Sequence, residues 1–158
     1  MSIKTKLEKF LKNHEKILIL TVGNELRGDD GLGPAIAKKL SKNRKENLTV
    51  IDGGTVPENF TGKIKMEDPS HIIIIDAVEM GAEPGTIKII KKDEIANYNI
   101  STHAMPLSFL IEYLKTHKDY KITLIGIQPK KLEFSTKISK PVKESMEKLN
   151  SILKETIQ

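Results

Sequence analysis

Four isoleucines in a row, Ile72 to Ile75, stand between His71 and Asp76, and they constrain this chain more than any other feature. An apolar run without polar alternation is the pattern of a strand covered on both faces, the interior of a mostly parallel sheet with helices above and below. The run is far too short to cross a bilayer. ILILTV at 17–22 repeats the pattern, and LTVID at 48–52, TIKII at 86–90 and KITLIGI at 121–127 bring the strands to five.

Segments of helical period stand between the strands. Leu7, Phe10 and Leu11 give the first, expected to cover an edge of the domain, and Ile36, Ala37 and Leu40 after Pro34 give the second. A third helix starts near Pro57. Leu107, Leu110, Ile111 and Leu114 form the fourth stripe, and Val142, Met146, Leu149, Ile152 and Leu153 after Pro141 the last. The alternation predicts an α/β fold, a three-layer sandwich in which a twisted, mostly parallel five-stranded sheet carries helices on both faces. One strand is antiparallel. The turn MGAEPG at 80–85 is too short for a crossover helix, so strands three and four are expected to run antiparallel, with the fourth at or near an edge. With no internal repeat or linker, residues 1–158 read as a single domain, long enough to bury roughly 70% of the unfolded chain's surface.

Composition narrows the chemistry. The chain has no cysteine, which excludes disulfides, thiolate metal sites and cysteine nucleophiles, so any metal is left to His, carboxylates or backbone. Its net charge of +5 rests almost wholly on dispersed lysines, with aromatics at 4% and no Trp. A nucleic-acid reader would concentrate arginine and aromatic platforms, so no nucleic-acid partner is expected. The N-terminus interleaves charge with apolar residues and shows no signal peptide, giving the expectation of a cytoplasmic protein with no membrane association.

In open α/β sheets ligands bind beyond the carboxyl ends of the strands, so the polar residues that follow each apolar run carry the candidate chemistry. Asn24, Glu25, Asp29 and Asp30 follow strand one, Asp52 ends strand two, Asp76 ends strand three and Gln128 ends strand five. Asp30 opens a helix from a glycine-rich loop, where an acid serves either as an N-terminal cap or as a ligand; of the adjacent pair Asp29 and Asp30, one can cap while the other faces the cleft. Asp76 leaves a buried strand, where a carboxylate is either tied to backbone or poised on a ligand. His103 stands before the fourth helix, a segment that returns to the same rim. Two carboxylates and one imidazole there would suit a borderline divalent metal with open coordination positions. Gly53 and Gly54 read equally as a tight turn and as a substrate-binding backbone. The Rossmann and Walker fingerprints, HExxH and G-x-S-x-G are all missing, so no nucleotide or organic cofactor is expected.

GNELRGDDGLGP after the first strand, then IDGGTVPEN, IIIIDAVEMGAEPGTIKII, STHAMPLSFLIEYLK and GIQP, resemble the nickel-iron (NiFe) hydrogenase maturation endopeptidases. The similarity runs from about Ile17 to the C-terminal helix, and the combination looks most like the branch that processes large subunits of the hydrogenase-3, formate-hydrogenlyase or energy-converting type. The resemblance implies the same α/β sandwich. It also implies an endopeptidase, catalogued as aspartic-type, that removes a C-terminal extension from the hydrogenase large-subunit precursor after nickel insertion. The family's metal-contacting positions map onto Asp30, Asp76 and His103, with Asp30 or Asp76 expected to activate water. Nickel enters as a substrate-borne ion, and a cysteine-free cleft would not compete for it. Gly53, Gly54 and Gln128 are the expected substrate-binding positions, and a monomer is the default. The alternative from another class is a non-catalytic chaperone or checkpoint module that senses the metallated large subunit. A small phosphohydrolase or nucleotide-dependent transferase is a weaker third, disfavoured by the missing phosphate-binding glycines.

Overall fold

The structure, a computed structural model, describes residues 1–43, 45–98 and 106–157. Five strands form one sheet: β1 (Ile17–Thr21), β2 (Leu48–Asp52), β3 (His71–Ala77), β4 (Ile87–Lys91) and β5 (Lys121–Ile127), in the order β2-β1-β3-β5-β4. β2, β1, β3 and β5 are parallel, and β4 is antiparallel to β5. Every residue of β1 and β3 is buried, as runs of Ile and Leu without polar alternation require, whereas the edge strands β2 and β4 keep partly open faces.

The two faces of the sheet hold separate apolar layers. Ile17, Ile19, Ile73, Ile75, Ile125 and Ile127 pack beneath α1 (Ile3–Phe10), α2 (Leu32–Leu40) and α5 (Lys140–Thr156). The alternate residues Leu18, Leu20, Ile72, Ile74, Ile122 and Leu124 pack beneath α3 (Thr61–Glu67) and α4 (Leu107–Lys115). Alternation of side chains across the pleat divides each apolar run between two cores. The fourth and fifth helices bury the residues their periodicity singled out, with Ile152 only partly covered. α1 contacts both α5 and the edge strand β4, as expected of an edge cover.

β4 does stand at an edge and opposes the direction of β3, but β5 lies between them. The link after β3 does not fold into a hairpin because its backbone crosses the end of β5. The Val78 N–H donates to the Ile127 carbonyl, the Gly85 N–H to the Gln128 carbonyl, and the Gln128 N–H to the Thr86 carbonyl.

Candidate active site

β1 lies between β2 and β3, and after β1 the chain turns to α2 on one face. Asp76 continues the row of Ile72 and Ile74, which faces the opposite layer. Such a reversal opens a crevice beyond the carboxyl ends of the adjacent strands β1 and β3. The Val22 N–H bonds the Ile75 carbonyl, which carries the β1 exit alongside Asp76. The chain then tightens into a 3-10 turn at Gly28–Gly31, which contacts β3 and holds both Asp29 and Asp30.

Those neighbouring acids have different surroundings. Asp29 faces the segment that follows β5: its Oδ2 accepts the backbone N–H groups of Lys130 at 2.7 Å and Lys131 at 3.1 Å. Ser139 adds its N–H to Oδ1 at 2.6 Å and its hydroxyl to Oδ2 at 2.8 Å. Burial opposes the charge of Asp29, but these donors outweigh burial and hold its pKa below the ordinary carboxylate value. Asp29 therefore does the structural work, tying residues 130–139 to the first loop.

Asp30 is 1% exposed, and its Oδ2 accepts the Asn24 N–H at 2.7 Å. Asp76 is fully buried, and its Oδ1 accepts the Ala77 N–H at 2.8 Å. Each carboxylate is thus oriented by a backbone donor and buried beyond the carboxyl ends of β1 and β3. Asn24 orders the loop as its composition suggests, accepting the Leu26 N–H on its side-chain oxygen at 2.9 Å. Two glycines make this compact loop possible. A Cβ at Gly33 would stand 2.2 Å from the Val22 carbonyl oxygen, and one at Gly23 would stand 2.0 Å from that of Asp30. Only glycine lets the start of α2 and the exit of β1 close around Asp30.

The remaining candidates rim the same end of the sheet. Gly53 donates its N–H to the Thr21 carbonyl at 2.7 Å, and the Gly54 carbonyl accepts the Gly23 N–H at 2.9 Å, so this turn braces the first loop. Asp52 is exposed and accepts the Gly54 N–H at 3.0 Å, which makes it a turn former. Gln128 is buried, and its side chain is engaged within the chain. Oε1 accepts the N–H groups of Met80 and Ala82, while Nε2 donates to the Glu79 carboxylate and the Pro129 carbonyl.

His103 lies outside the described residues, and α4, which begins four positions later at Leu107, packs on the face towards which Asp76 points. Among the described residues no three His, Asp or Glu side chains group closely enough to hold a metal ion, so the predicted three-ligand set rests on the segment that includes His103. Ser139 was not singled out by the sequence. Its place before Lys140-Pro141 signals a helix cap, yet it makes no side-chain cap bond to α5 and its hydroxyl serves Asp29 instead. Among the described residues no helix is long and apolar enough to cross a membrane.

Residues 34–155 match the family model described as HycI, hydrogenase maturation protease. The chain is 41% identical over 131 residues to the hydrogenase 3 maturation protease of Escherichia coli K12, covering 82% of this chain and 83% of that one. The crystal structure of the NiFe hydrogenase maturation protease HycI from Thermococcus kodakarensis is similar at a TM-score of 0.88 and 29% identity, covering 96% of this chain and 98% of that one. The solution structure of the endopeptidase HycI from Escherichia coli is similar at a TM-score of 0.78 and 40% identity, with coverage of 87% and 88%. The crevice is thus set in a sheet shared with endopeptidases, and the chain belongs to the hydrogenase maturation protease family.

Proposed function

We propose that this protein removes the C-terminal extension of a NiFe-hydrogenase large-subunit precursor once nickel is in place, reading the bound nickel through Asp30, Asp76 and His103. The observation that carries the reading is the pair of buried carboxylates beyond adjacent strands β1 and β3, each oriented by a neighbouring backbone N–H. In this reading nickel arrives with the substrate, held by the precursor's own ligands. Oxygen and nitrogen donors complete its shell, and a chain without cysteine offers no thiolate to draw it away.

Docking on the metal places the scissile peptide against the carboxylates, so that positioning supplies much of the rate. Asp30 or Asp76 accepts a proton from water as the water oxygen bonds to the scissile carbonyl carbon. The carbon–nitrogen bond then breaks, and the leaving nitrogen takes up that proton. This is an aspartic-type assignment in which the nucleophile is a carboxylate-activated water rather than a thiol or serine side chain. Gly53 and Gly54 serve an extended substrate through the turn with which they brace the first loop. Gln128 contributes through the Met80–Ala82 turn that its side chain holds. We read the enzyme as a cytoplasmic monomer with the large-subunit precursor as its partner.

The test is the mass of nickel-loaded precursor after incubation with trace enzyme. Wild type should shorten many equivalents of precursor and leave metal-free precursor intact, and Asp30→Ala, Asp76→Ala and His103→Ala should each abolish shortening. Near-normal cleavage by all three variants would overturn the assignment. Binding of precursor without any turnover by wild type would instead indicate a checkpoint module.

A further inference from the structure

Beside the turn that carries Asp30 runs a groove of about 350 Å³ whose lining includes Lys130, Lys131, Lys137 and Lys140. The acids in that lining are Glu133 and Asp29, and the Asp29 carboxylate is already saturated by the donors from residues 130, 131 and 139. None of the four lysines forms an ion pair with a described residue. The groove therefore has a surplus of positive charge that the folded chain does not neutralise.

The start of α5 adjoins these lysines. α5 begins at Lys140, at the groove, and Ser139 leaves the helix without a side-chain cap because its hydroxyl is turned to Asp29. The Asp29 carboxylate, which also accepts the Ser139 N–H, offsets the positive end of that helix, so the charge of the groove is that of its lysines. Ile138 lines this groove and also a neighbouring one of about 280 Å³, whose mostly apolar wall of Leu26, Pro34 and Ala35 is completed by Thr136 and by the opposite charges of Glu25 and Lys38. A phosphate site would have no use for that apolar continuation. A polypeptide with acidic side chains followed by apolar ones matches both halves.

We propose that this lysine groove, continued by the apolar channel past Ile138, seats an acidic segment of the substrate protein beside the turn that carries Asp30. The assignment rests on the processing function only for the identity of that protein. The groove's preference for acidic polypeptide stands on its own lining. Contact at a distance from the scissile bond holds the precursor in register while the metal fixes the reacting end.

The experiment uses fluorescein-labelled octaglutamate and full-length protein at low salt, read by fluorescence anisotropy. Wild type should bind, and Lys137→Glu combined with Lys140→Glu should weaken binding at least tenfold. Lys6→Glu combined with Lys9→Glu on exposed α1 changes net charge equally and should leave affinity within twofold. Lys137→Gln with Lys140→Gln, which introduces no repulsion, should still weaken binding severalfold, and circular dichroism verifies the fold of each variant. Equal loss in the α1 and groove variants, or no binding by wild type, would overturn the proposal. So would tighter binding of labelled octathymidylate than of octaglutamate in the groove. In a parallel assay with nickel-loaded precursor the groove variants should raise KM. If wild type fails to shorten that precursor, the processing function falls while the peptide assay still decides the groove.

Discussion

The carboxylate of Asp29 binds Ser139 twice, accepting its backbone N–H at 2.6 Å and its hydroxyl at 2.8 Å. The turn after β1 and the start of α5 are held together through one buried side chain, beside the residue assigned to catalysis. Asp29→Ala strands the donors of Lys130, Lys131 and Ser139 and should cost about 2–4 kcal/mol in urea unfolding. Because the folded-state pKa of Asp29 is depressed, its contribution is fully present above the ordinary carboxylate value and is lost as pH falls through the folded value. The acid limb of stability against pH should therefore be shallower in Asp29→Asn than in wild type.

His71 makes the opposite end of the sheet sensitive to mild acid. Burial first, and then the nearby charges of His14 and Lys121, push its pKa below the ordinary histidine value of about 6.5, outweighing a hydrogen bond that the ring donates to the Phe10 backbone carbonyl. The unfolded chain binds a proton at His71 more readily than the folded one, so stability declines as pH falls below about 6.5 towards the folded value. His71→Gln should flatten the dependence of the urea midpoint on pH between roughly 7 and 5. An unchanged slope would mean that another group carries it.

Gly23→Ala should fail in a way that Gly62→Ala does not. An added Cβ at Gly23 meets the Asp30 carbonyl at 2.0 Å, whereas at Gly62, in the first turn of α3, it meets nothing within 4 Å. Gly62→Ala should raise stability by roughly 0.5 kcal/mol. Gly23→Ala should lower the melting temperature and, in protein that remains folded, reduce precursor processing by displacing Asp30.

Gln128→Glu replaces the donor that reaches Glu79 and Pro129 with an acceptor. Like charges then face each other across the turn. Hydrogen exchange at the Met80 and Ala82 amides, which Oε1 of Gln128 now holds, should accelerate at least tenfold while exchange in β1 stays unchanged.

The central layer should tolerate truncation poorly. Ile74 is fully buried between β1 and β5, under α3 and α4. Ile74→Ala should cost about 2–5 kcal/mol by urea titration, because neighbours on a rigid sheet cannot close the cavity.

The fold was legible where one physical effect dominates. The isoleucine run had to be a strand covered on both faces, and the glycine-rich loop after ILILTV had to turn sharply into a helix. The neighbour of β4 was not legible, because the short link that forbids a crossover helix does not reveal that β5 will enter between β3 and β4. At the site, the sequence allowed one of Asp29 and Asp30 to cap the following helix, but neither side chain caps α2, and Asp29 is instead bound far along the chain. The donors that claim Asp29 come from residues 130–139, far along the chain. Gln128 looked like a rim residue available to substrate, yet its amide is matched by groups on either side of β4 in sequence: Glu79, Met80 and Ala82 before it and Pro129 after it. Periodicity reports which face a residue occupies, and pairing across long separations is beyond it.

The place of β5 between β3 and β4 also sets an order of events during synthesis. Among the described residues Ile87–Lys91 pairs with no strand other than β5, so when it leaves the ribosome that partner has not yet been made. An unpaired apolar strand is a hazard until then. Lys88 and Lys91, exposed in the finished protein, put positive charge on that strand during the wait. Lysine on a strand opposes edge-to-edge association, so the charge of β4 acts against mispairing in the interval before β5 follows.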